Sequence, residues 1–210
     1  MSSVVQLVRT AFSYVMAPLA SSAATQDRAQ VTEIYAYATR FIAAIALPLA
    51  LVLAAGSSAL LSLFGAEAQM AQSALIILLI ARAAEAMVGI STPVLQVIAA
   101  FRHQLTASVA GVITAVVTGY IAHHYMLPLT AVTLATALGF CVLAVIPMLQ
   151  LAWIEKLHPF DNRFPKVIGR SLAISAAACS TALLISLLPD YAAIPLIVIT
   201  ALATIWCCLR

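Results

Sequence analysis

The sequence predicts an all-α integral membrane protein, a bundle of about seven transmembrane helices, and three observations predict it. Of the 210 residues, 64% are hydrophobic and only 8% are charged, whereas a soluble globular domain carries roughly a quarter charged residues. Apolar runs recur along the chain that are long enough, at ~1.5 Å per residue, to cross a hydrocarbon core of ~30 Å. The basic residues gather between alternate runs, the sidedness expected of a multi-pass protein. In lipid every backbone polar group must be paired within the structure, and with apolar runs of this length only helices meet that demand.

The first run, Val4–Ala20, carries Arg9 and begins abruptly, which reads as the loss of preceding sequence. With Arg9 inside the apolar run and a polar loop directly after it, it does not read as a cleaved secretory signal. A polar link, Ser21–Arg40, holds Asp27, Arg28 and Glu33, and its V-T-E-I-Y-A-Y-A-T-R-F portion opens the next helix ahead of the apolar run Phe41–Phe64. The third run, Ser73–Phe101, holds Arg82 and Glu85 near its middle. Leu105–Tyr125 follows, with Ala107, Gly111, Ala115 and Gly119 recurring every fourth residue as a stripe of small side chains. Such a stripe lets backbones approach closely and is read as a helix contact within one bundle. Leu129–Ile154 completes a five-helix part over residues 1–154. The loop of residues 155–166, E-K-L-H-P-F-D-N-R-F-P-K, is punctuated by Pro159 and Pro165. Residues 167–210 form a final pair, Val167–Leu188 and Tyr191–Leu209. Five prolines inside the runs, Pro18, Pro48, Pro93, Pro147 and Pro195, predict bent helices.

Seven crossings place Arg28, Arg40, Arg102, Lys156, Arg163, Lys166, Arg170 and Arg210 on one side, eight of the ten Lys and Arg. By the positive-inside rule that side is cytoplasmic, with the first helix running inward and the C-terminus in the cytoplasm. The same rule accounts for the net charge of +3, so no nucleic-acid partner is implied.

Candidate chemistry is sparse. Arg82 lies ~14 Å along a helix from Ser73, near the bilayer midplane. A charge at that depth costs several kcal/mol unless it faces a partner, other helices or a water-filled path. Glu85, three positions on, shares its helix face and can pair with it. Mutual neutralisation and a cavity-facing anion contact are both open readings. Arg9 is a further cavity candidate, with an interfacial anchor as its plainer reading. The cysteines Cys141, Cys179, Cys207 and Cys208 lack zinc-site spacing, and the tandem His123-His124 cannot set two ligands on one helix face. No catalytic constellation, cofactor motif or metal site is found, so the chain is read as a non-enzyme without a cofactor.

The stretch F-S-Y-V-M-A-P-L-A-S, then R-F-I-A-A-I-A-L-P-L-A and L-L-S-L-F-G, then V-L-Q-V-I-A-A-F-R-H-Q, resembles the polysaccharide and lipid-linked-oligosaccharide flippases of the superfamily that includes multidrug extruders. The matching positions are Pro18, Arg40, Pro48-Leu49, Leu63-Phe64-Gly65 and Arg102. The chain is similar to the second of the family's two lobes. The resemblance implies a bacterial inner-membrane protein that moves polyprenyl-diphosphate-linked sugars outward by alternating access, for exopolysaccharide or O-antigen lipopolysaccharide assembly. Its implied partners are membrane lipids, that lipid-linked sugar, and a missing N-terminal lobe or complementary membrane subunit. Arg82 and Arg9 become candidate diphosphate contacts, with Glu85 beside them. A multidrug extruder, or a truncated non-transporting membrane protein, is the alternative.

Overall fold

The computed structural model describes Leu7, Thr10, Ala11, Ser13, Tyr14 and residues 28–98, 101–160, 163–185 and 190–209. The expected first helix, with Arg9 and Pro18, therefore lies outside the described residues except at isolated positions. Among the described residues all regular structure is helical and no strand occurs.

Helix α1 (Arg28–Ala55) begins in the polar link and runs through the second apolar stretch. It ends at Gly56, a position that excludes a side chain, since a Cβ there would lie 2.8 Å from Ile197 Cδ1. The short α2 (Ser57–Ser62) follows, and the chain turns at Gly65, whose φ of 98° is open to glycine but strained for other residues. After a 3-10 segment, Ala66–Ala71, α3 (Gln72–Val88) carries Arg82 and Glu85.

The third apolar run is not one continuous helix. It breaks at Gly89-Ile90 and resumes as α4 (Ser91–Ile98). Pro93 supplies the reason: lacking an N–H, it cannot bond the Gly89 carbonyl, and that carbonyl instead accepts from the Thr92 amide at 3.3 Å. The break is pinned from outside. Ser91 Oγ donates to the Val88 carbonyl at 2.6 Å, leaving its lone pairs to the Tyr35 phenol of α1, 2.5 Å away.

Helices α5 (Phe101–Tyr125) and α6 (Pro128–Gln150) form an antiparallel hairpin. A π-helical turn, Leu151–Glu155, extends α6 and is closed by Lys156 in the left-handed region at φ 56°. The last pair is α7 (Phe164–Ile185) and α8 (Asp190–Leu209). The helices pack in a row: α5 on α6, α6 on α3, α3 on α1, and α1 on both α7 and α8. Two apolar clusters meet on α1. One gathers Tyr35, Ile42, Leu79, Ile90 and Leu95, and the other Val52, Ala182 and Ile197, so α1 contributes to both.

Four stretches of the described residues are long and apolar enough to cross a membrane: Gln30–Ala55, Glu67–Gln96, Arg102–His123 and Pro128–Ile154. Of the seven crossings expected from the sequence, these four meet that measure among the described residues, and α8 adds a shorter apolar stretch, Pro195–Leu209. Threonines on these helices return their hydroxyls to their own backbone, as Thr114 does to the Ala110 carbonyl at 2.8 Å and Thr136 to the Val132 carbonyl at 2.6 Å. That internal pairing lets a polar side chain face lipid without an unmet donor.

The small-residue stripe on α5 packs against α6 through a matching stripe, Ala131, Ala135 and Gly139. A Cβ on Gly139 would sit 2.9 Å from the Ala115 Cβ, and one on Gly111 would sit 3.2 Å from the Gly139 carbonyl. Away from that seam Val112, Val116 and Tyr120 of α5 are exposed.

Candidate functional site

Arg82 stands midway between Glu67 and Gln96, the ends of its apolar stretch. Its Nη1 donates to Glu85 Oε2 at 2.6 Å, with the arginine side chain 13% exposed and the glutamate 3%. Both readings of this pair were open on sequence, and the structure shows the paired one. One helical turn separates the residues, so α3 alone sets the geometry.

The rest of the site comes from α6. The Phe140 ring lies under the guanidinium, with Cζ 3.7 Å from the ring centroid. A desolvated cation over an aromatic face gains about 2 kcal/mol, which offsets part of the burial cost. Phe140 was not singled out by the sequence, because nothing in a single chain of letters says which α6 face meets α3. Arg82 Nε is buried with no hydrogen-bond partner. An orphaned donor of this kind costs about 1–3 kcal/mol, and more on a charged group. The site thus holds a satisfied carboxylate contact on one side of the guanidinium and an unmet donor on another.

Phe140 also lines a groove of about 280 Å³ between α5 and α6, together with Gly111, Ala115, Thr136 and Gly139. A second groove of about 410 Å³ continues along the same seam past Gly119 and His123. A third cleft, of about 630 Å³, is lined by Glu33, Arg40, Lys156 and Arg163 together with Ala36 and Phe160, and lies at the end of the bundle where α1 begins and α6 ends. Arg82 and Glu85 line none of these three. Arg9, the other cavity candidate, lies outside the described residues. His123 and His124 are exposed, and among the described residues no group of His, Cys, Asp and Glu is arranged to hold a metal ion.

Comparison with known protein families, with curated proteins and with solved structures returns no match.

Proposed function

We propose that this chain is a transport protein, the C-terminal half of a flippase that carries lipid-linked oligosaccharide or polysaccharide precursors across the bacterial inner membrane by alternating access. The observation that carries the reading is Arg82, a cation halfway through an apolar helix with one buried donor left unmet. Transfer of such a charge to mid-bilayer costs about 2.5–3.5 kcal/mol even on the mildest scale. A diphosphate passing the site would supply the missing acceptor and exchange with Glu85 for the guanidinium.

In the described conformation Glu85 and Phe140 occupy the guanidinium, so an anion reaches it only after α6 shifts on α3 or the Phe140 ring swings away. Phe140 also lines the α5–α6 groove, so its rotation would connect groove and cation. The resemblance of the sequence to the second lobe of the flippases supports the substrate class, and the end rich in basic residues is assigned to the cytoplasm.

The test is Arg82→Ala in cells that depend on this gene for sugar export. Export of the lipid-linked sugar is expected to fall about tenfold or more while membrane protein level falls less than twofold. Parallel loss of both would make Arg82 a folding residue and remove the basis of the proposal.

A further inference from the structure

We propose that α4 is a hinged arm that closes one end of the bundle, turning about Gly89-Ile90 and latched to α1 by the hydrogen bond between Tyr35 and Ser91. A broken helix inside an apolar span is costly, because a backbone group freed there has no water to bond. The break carries long backbone bonds of its own. Thr92 N donates to the Gly89 carbonyl at 3.3 Å and Val94 N to the Ile90 carbonyl at 3.4 Å, while Pro93 has no donor to give. One turn earlier the Gly89 amide donates to the Glu85 carbonyl at 2.7 Å, so α3 is well bonded up to the break. The soft place is two residues long, and one of them is glycine.

The latch is built from buried groups. Ser91 gives its proton to the Val88 carbonyl at 2.6 Å, so in the 2.5 Å contact with Tyr35 the phenol is the donor. Both residues are fully buried. Tyr35 lies five residues inside the start of Gln30–Ala55 and Ser91 five inside the end of Glu67–Gln96, each ~8 Å from its boundary, so the two meet at one level. A proline kink accounts for the bend. It does not account for a phenol and a hydroxyl, both hidden, that tie the short arm to a second helix.

The arm packs on another irregular element. Ile90, Val94 and Leu95 share one apolar cluster with Tyr35 of α1, Leu151 of the π-helical turn and Leu157 beyond it. Interruptions of regular helix in α3–α4 and at the end of α6 thus come together in one place, and π-helical turns are frequent at functional sites. The hinge lies one turn past Glu85, so opening of the arm begins at the edge of the Arg82–Glu85 pair. On the transport reading this admits an anion from the end rich in basic residues, but the hinge itself does not rest on that reading.

Hydrogen–deuterium exchange of the full chain in phosphatidylcholine nanodiscs tests the arm, because amide exchange reports the open population segment by segment. Tyr35→Phe keeps the ring and leaves the bond from Ser91 to Val88, removing only the tie to α1. It is expected to speed exchange about threefold or more over residues 91–98 and 151–157, and to change it less than twofold over 74–86 and 167–182. Thr39→Val removes a buried hydroxyl of α1 that bonds its own helix, at the Tyr35 carbonyl 2.9 Å away, and is expected to leave all four segments within twofold. Unchanged exchange of the arm in Tyr35→Phe overturns the proposal. So does an equal rise in all four segments or a matching rise in Thr39→Val, either of which would mean general loosening. If Tyr35→Phe does not fold, Ser91→Ala is read against the same outcomes. No substrate enters the test, so its result stands apart from the transport reading.

Discussion

Glu85 is what allows Arg82 to occupy the middle of α3. With Nη1 held at 2.6 Å by a carboxylate only 3% exposed, the two charges are desolvated together, and their attraction in a low-dielectric setting offsets that cost only while both are present. Glu85→Gln therefore leaves a buried cation without its counter-ion and is expected to destabilise the protein by about 3–5 kcal/mol. Thermal unfolding in detergent would show it as a lowered Tm. Replacing both partners, Arg82→Met with Glu85→Leu, is expected to recover most of that loss while abolishing export. A double variant as unstable as Glu85→Gln alone would mean that the glutamate acts through some contact other than Arg82. The pair was legible in the sequence because i, i+3 spacing fixes two side chains on one helix face whatever the tertiary structure. Phe140 was not legible, since its contact exists only where α6 crosses α3.

Helix α5 meets α6 backbone to backbone, and the meeting depends on glycines. At Gly139 an added methyl would lie 2.9 Å from the Ala115 Cβ and 3.2 Å from the Gly111 carbonyl, neither of which is the end of a flexible side chain. Gly139→Ala is therefore expected to cost about 1–3 kcal/mol by forcing the helices apart. Gly169, on the exposed face of α7, meets nothing within 4 Å of an added Cβ. Gly169→Ala is expected to stabilise by up to about 1 kcal/mol through helix propensity alone. Unfolding of the two purified variants in a denaturing detergent series would check the opposite signs. The α5 half of this contact could be read from its four-residue spacing. Its partner, Ala131, Ala135 and Gly139, has the same spacing and could have been found by looking for a second stripe in the adjoining helix. The break at Gly89-Ile90 was foreshadowed by Pro93, but its exact place was not, because Tyr35 and Ser91 share in fixing it from two different helices.

Across the molecule, charge and aromatic residues sort by end. Gln150 Nε2 donates to Thr106 Oγ1 at 2.9 Å, which sets the end of α6 beside the start of α5, and the cleft lined by Arg40 and Lys156 joins the end of α6 to the start of α1. Arg40, Arg102, Lys156 and Arg163 therefore share one end of the row, while Met70 sits in the 3-10 segment that links the opposite ends of α1 and α3. In a version with its four cysteines replaced, Met70→Cys is expected to react with an impermeant maleimide in intact cells. Trp153→Cys is expected to react only after the membrane is opened. The reverse pattern would place the basic end outside and reverse the proposed orientation. The solvent, the helical class and the approximate boundaries follow from the order of residues alone, because apolar run length, proline and charge act locally along the chain. That order also sets Glu85 beside Arg82. That α6 covers the guanidinium with Phe140, and that Arg40 shares a cleft with Lys156 and Arg163, comes from packing. Those contacts are set by the rotation of each helix about its own axis, which depends on how its neighbours pack against it.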